Sequence, residues 1–214
     1  MSDTMEVAQE LVHDVQRERG VSCGWVASGG SQFRELVSDY RSRTNLLQLD
    51  AVVAEQLASI RAAADVAVQQ GSFLESTDLL RMQASNFYSV FTRYNALIAQ
   101  LLDQVAHACG SGPRSAYVAF AQLKEGTGIE RAFLCGALAM PSEALAALPS
   151  RAFATLVMGL QQQKIHESKV RALCPPKLLD LLRAGFEYTP ELRALQARLH
   201  EDFDVAHVSA AAKM

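Results

Sequence analysis

The chain has 214 residues, with 20 Lys+Arg against 23 Asp+Glu and a formal net charge of -3. Half of it is apolar. That supports a sizeable core and excludes disorder as the dominant state, while the slightly acidic balance argues against a general nucleic-acid binder, whose surface is basic.

Taken in order, the pattern is helical throughout. A first helix is expected over residues 3–27, where Val7, Leu11, Val15 and Val21 recur at helical spacing. Ser28-Gly29-Gly30-Ser31 breaks it, with Ser31 as the expected cap of the next helix. A second helix is expected over 32–69, interrupted near Thr44-Asn45, with Val52, Val53, Leu57 and Ile60 as its apolar stripe. A third covers 73–109, carrying Phe87, Phe91, Tyr94, Ile98 and Leu101. Cys109-Gly110-Ser111-Gly112-Pro113 is the central break. Helices over 114–139, 143–148 and 150–172 come next, separated by Met140-Pro141-Ser142 and Leu148-Pro149-Ser150. Beyond Cys174-Pro175-Pro176 come a short helix and a last one that starts at Thr189-Pro190. The fold class is all-α, with long antiparallel helices forming two packed bundles.

No uninterrupted apolar run reaches the roughly 18 residues that a bilayer-spanning helix requires. The N-terminus does not read as a signal peptide, having no basic stretch ahead of an apolar one. Cys23, Cys109, Cys135 and Cys174 lie far apart without CxxC spacing, so neither a disulfide scaffold nor a zinc site is expected. Free thiols without a signal pattern favour the cytoplasm, or an extracytoplasmic setting if the chain is a fragment of a receptor. The five histidines share no ligand spacing with one another, and no Ser/His/Asp set, phosphate loop or catalytic carboxylate pair is visible. The expectation is a protein that is not an enzyme, with no metal and no cofactor.

One segment repeats. Residues 11–27, LVHDVQRERGVSCGWVA, align without a gap to residues 123–139, LKEGTGIERAFLCGALA. Leu11, Glu18, Arg19, Cys23, Gly24 and Ala27 match Leu123, Glu130, Arg131, Cys135, Gly136 and Ala139 at one constant offset. Each copy sits in the first helix of its half, as a duplicated unit would. Glycine inside a helix costs about 1 kcal/mol relative to alanine, so Gly24 and Gly136 point to close approach between helices.

The repeat carries an arginine in each copy. Both Arg19 and Arg131 are flanked by apolar positions, and a buried guanidinium needs a counter-charge. Adjacent residues point roughly 100° apart on a helix, so Glu18 and Arg19 do not satisfy each other. Two solutions stand open. Glu18 and Glu130 can cross-pair with Arg131 and Arg19 as a structural network, or the arginines can converge on an external anion.

The run Gln16-Arg17-Glu18-Arg19-Gly20-Val21-Ser22, followed by a small-residue loop and Phe33, resembles the opening signature of nitrate- and nitrite-sensing (NIT) domains, Q-x-E-R-G-x-S. Gly128-Ile129-Glu130-Arg131-Ala132 is similar to the family's second signature, G-x-E-R-A, and the stretch from Phe153 to Gln161-Gln162-Gln163 is similar to the family's run after that signature. The resemblance covers residues 5–205. It implies one all-helical sensor domain over 1–214, its two halves split near 109–114, and an inorganic anion, nitrate or nitrite, bound by Arg19 and Arg131. Arg193 and Arg198 are candidates for a third contact. It also implies an output module or a separate signalling partner, because members of the family are usually fused to one. No output domain is expected here, since only a tail comes after Val208. No direct nucleic-acid contact is expected, and a homodimer is compatible with long exposed helices.

Overall fold

In the computed structural model, residues 3–71, 77–109 and 114–174 are described. The chain divides by its contacts into Met1–Leu173 and Cys174–Met214, and all the described helices belong to the first unit. Arg193, Arg198 and the two helices expected after residue 176 lie outside the described residues.

Every regular element described is a helix: α1 Asp3–Ala27, α2 Arg34–Asn45, α3 Ala51–Gly71, α4 Thr77–Cys109, α5 Arg114–Ala139, α6 Ser142–Ala146 and α7 Ser150–Leu173. The all-α expectation holds, and α1 and α5 have the expected bounds. None of these helices is long and apolar enough to cross a membrane.

The second helix is interrupted where expected: α2 ends at Asn45 and α3 begins at Ala51. Asp50 is the reason: its Oδ1 accepts the Val53 backbone N–H at 2.8 Å, so α3 has its own start. Ser31 does not cap α2. Its hydroxyl donates to the Ser28 carbonyl, and the position before α2 is held by Phe33, which caps with no side-chain bond. Phe33 sits at φ 66, a conformation that costs a bulky residue roughly 1–2 kcal/mol. Its ring lies against Gly24, where a Cβ would come within 2.7 Å of it. Packing of the half-buried ring on Gly24 offsets part of the backbone strain.

α1 is the central element, packing on α5, α4, α2 and α3. α5 in turn packs on α7, and α3 on α4. The two signature helices therefore lie side by side. Val15, Cys23, Val26 and Ala27 of α1 are buried, as are Val53, Leu57 and Ile60 of α3. Val7 and Val52, expected in the apolar stripes, are exposed instead. Val7 lies near the start of α1, and Val52 falls on the outer face of α3 beside the buried Val53.

The glycines of the repeat do not play the same part twice. Gly24 admits the Phe33 ring and approaches Cys135 Sγ of α5, while Gly136 admits the ring of Phe87 from α4. Phe87 then anchors an aromatic cluster. It stacks on Phe91 at 5.8 Å, and Phe133 meets both edge-on at 5.9 Å, with Phe153 of α7 at 5.7 Å from Phe133. Such pairs contribute about 0.5–1.5 kcal/mol each beyond their burial.

Candidate functional site

Arg19 is fully buried, the largest side chain in the core with no exposure. It reaches across from α1 to α5, where Nη1 donates to Glu125 Oε1 at 2.5 Å and Nη2 to Oε2 at 3.2 Å. Nη1 also donates to Asn95 Oδ1 of α4 at 2.8 Å. Gln16, one turn before Arg19 on α1, donates Nε2 to Glu125 Oε2 at 2.8 Å. Three helices thus converge on one guanidinium.

The guanidinium lies over Gly128. A Cβ there would meet Arg19 Nη2 at 2.5 Å and Glu125 Oε2 at 3.4 Å. The glycine of the second signature is the floor on which the arginine of the first signature rests.

Two donors at this point have no acceptor among the described residues: Arg19 Nε and Asn95 Nδ2, both buried. The orientation of the Asn95 amide is fixed by Arg19, a pure donor that must face the oxygen. A buried donor left unbonded costs about 1–3 kcal/mol.

Glu18 is also fully buried, and its partner is Arg61 of α3. Arg61 donates Nε to Glu18 Oε1 at 2.7 Å and Nη2 to Oε2 at 2.8 Å. Tyr94 Oη donates to Glu18 Oε1 at 2.8 Å and lies 3.3 Å from Ser22 Oγ. Burial works against the Arg61 charge, yet the bonds to Glu18 outweigh it and hold its pKa above the usual value. Burial, then the Glu18 carboxylate, pushes the Tyr94 hydroxyl well up. The cross-pairing of Glu18 with Arg131 and of Glu130 with Arg19 is replaced by these pairs, because α3 and residue 125 supply closer partners.

Arg131 is placed differently from Arg19. It is exposed on α5, and its field falls on His13, Lys124 and Cys135. The two signature arginines therefore flank the same pair of helices, one from the interior and one from the surface. Burial, offset in part by Arg19, pushes the Cys23 thiol far up, and Cys135 moves in the same direction by burial. Trp25 is buried with the Arg41 guanidinium 5.5 Å above its ring.

Glu125, Asn95 and Arg61 are not singled out by the sequence. Asn95 carries a signal: it interrupts the apolar stripe Phe91, Tyr94, Ile98 of α4. Gln16 stands in the first signature, on the face of Arg19. Glu125 and Arg61 carry none.

Among the described residues, no group of His, Cys, Asp and Glu is placed to hold a metal ion. The chain matches no curated protein and no solved structure. The family model for nitrate and nitrite sensing matches residues 10–208, which takes in both signatures and nearly the whole chain, and the protein belongs to that family.

Proposed function

We propose that this sensor domain binds nitrate or nitrite at the free Nε edge of Arg19, with Arg131 as the second cation, and reports occupancy by moving α1 against α5. The observation that carries the reading is the pair of buried donors, Arg19 Nε and Asn95 Nδ2, that lack acceptors beside one guanidinium. A planar oxyanion supplies the acceptors. Arginine suits it because a guanidinium edge presents two parallel N–H groups, where lysine offers a point charge.

Charge balance explains a second arginine. Glu125 already neutralises Arg19 through the far edge of the guanidinium. An anion added to that pair needs a further cation, and Arg131, exposed on α5, is the one the repeat supplies. Drawing its guanidinium inward would couple α5 to α1. The ligand shifts the helices only by binding the closed arrangement more tightly than the open one. The movement then passes to an output module or a signalling partner.

A purely structural role for Arg19 has its own support: the guanidinium is already clamped in bidentate fashion by Glu125. Titration calorimetry at fixed ionic strength separates the two. Nitrate or nitrite binds the wild-type chain and chloride does not. Arg131→Gln and Asn95→Leu each weaken binding about tenfold, the equivalent of one charge-assisted bond. Absence of heat with both oxyanions, or affinities unchanged in both variants, leaves Arg19 as a structural clamp.

A further inference from the structure

A second site lies along the same pair of helices and shares Gln16 with the Arg19 cluster. The opening halves of α1 and α5 enclose a half-open cavity of about 360 Å³. One end is cationic: Lys124 Nζ and His13 Nδ1 are 2.7 Å apart. The walls are apolar and aromatic, formed by Val12, Tyr117, Phe120 and Ala121. Gln9 also lines it, its Nε2 buried with no bonding partner, and Glu10, exposed to solvent, completes the lining.

We propose that this cavity is a binding site for a small organic carboxylate with an aromatic or branched apolar body. The carboxylate bonds Lys124 Nζ and Gln9 Nε2, and the apolar body lies against Phe120, Tyr117 and Val12. Three features select this class. The volume lies in the range of small-molecule sites, about 300–1,000 Å³, and is far larger than a nitrate ion needs. The apolar walls give no return for a bare inorganic anion, but each buried CH2-sized group of a ligand contributes about 0.8 kcal/mol. Arg17 and Arg131 act on the cationic end, against the carboxylates of Asp14 and Glu125. Lys124 is depressed by burial, then by Arg131 and Arg17, and His13 by burial, then by Lys124 and Arg17. An anion relieves that repulsion.

The cavity adjoins the Arg19 cluster, since Gln16 lines it and bonds Glu125, the acceptor of Arg19.

The test uses benzoate as probe, with benzyl alcohol as its neutral counterpart and nitrate as the bare anion, all at fixed ionic strength. Affinity is read by calorimetry and contact by saturation-transfer NMR. Benzoate binds the wild-type chain and receives saturation from Phe120 and Tyr117, while benzyl alcohol binds at least about tenfold more weakly, the worth of one charge-assisted interaction. Lys124→Met lowers benzoate affinity by a similar factor, and Lys124→Arg restores it. The melting temperature of each variant without ligand shows that the fold persists. Saturating nitrate does not displace benzoate when it binds elsewhere. Equal affinity for benzoate and benzyl alcohol, benzoate affinity retained in Lys124→Met, or full displacement of benzoate by nitrate at matched ionic strength overturns the proposal.

Discussion

Gly128 is the floor under Arg19: a Cβ on it would stand 2.5 Å from Arg19 Nη2. The two signatures of this chain are therefore one structural unit. The first supplies the guanidinium, and the second supplies the gap that receives it.

Gly128→Ala is expected to destabilise the protein by about 1–3 kcal/mol, since the guanidinium must leave its seat and strain its bonds to Glu125 and Asn95. Gly20→Ala is the control. Gly20 lies inside α1 with nothing within 4 Å of the position of a Cβ. That change is expected to stabilise by up to about 1 kcal/mol through helix propensity alone. Urea denaturation of the two variants checks both signs, and a loss of stability in Gly20→Ala contradicts the packing described.

Arg19 and Glu125 form a buried pair with side-chain exposures of 0% and 11%. Removing one partner strands the other, so Arg19→Met is expected to cost about 3–5 kcal/mol. Arg19→Met combined with Glu125→Met recovers most of that loss, because both desolvation penalties disappear together. A double-mutant cycle in guanidinium chloride measures the coupling. Additive losses mean that the pair is not formed in solution.

His13 sets a pH dependence. Lys124, Arg17 and Arg131 surround it with positive charge and Asp14 with negative, and burial followed by Lys124 lowers its pKa below the ordinary 6.5. His166 shifts the same way by burial, then by Lys169. A base whose pKa is lower in the folded state binds more protons when unfolded, so stability rises with pH. The contribution is complete above pH 6.5 and is lost as the pH falls below it towards the folded value. Melts at pH 7.5 and pH 5.5, as test conditions on either side of about 6.5, are expected to show the drop. In His13→Gln it is smaller, and an undiminished drop in that variant assigns it to other groups.

Cys23 has no exposure, and burial pushes its thiol far above the ordinary range. The thiolate is the reactive form. Alkylation of Cys23, mapped by mass spectrometry, is expected to follow the rate of global opening and to accelerate in low denaturant. Rapid modification in the native state shows that the α1–α5 seam opens locally.

Much of the fold is legible in the sequence for a physical reason. Helix bounds follow from local periodicity and breakers, so α1 and α5 lie where the sequence places them. Thr44-Asn45 marks the end of α2, but Asp50 escapes notice as the cap of α3 because no breaker stands beside it. Arg19 stands out because it interrupts an apolar face, and its neighbours Val15, Cys23 and Val26 are buried. Its partner does not stand out. Glu125 comes from another helix, and no spacing within one helix encodes a contact of that range. Glu18 has the register to pair with the repeat's second arginine, but Arg61 of α3 lies closer. Arg131 shares the register of Arg19 and not its burial, since equivalent positions on α1 and α5 meet different neighbours.

If an oxyanion completes the bonding of Arg19, the Nε–H of that residue must report it. The most direct measurement is the arginine Nε–H region of a 15N-correlated NMR spectrum, with the Arg19 resonance assigned by through-bond experiments. Nitrate or nitrite, added at constant ionic strength, is expected to shift that resonance to the position of a hydrogen-bonded donor, while chloride leaves it in place. An Arg19 Nε–H resonance that stays fixed through a full titration with both oxyanions contradicts oxyanion binding at this site.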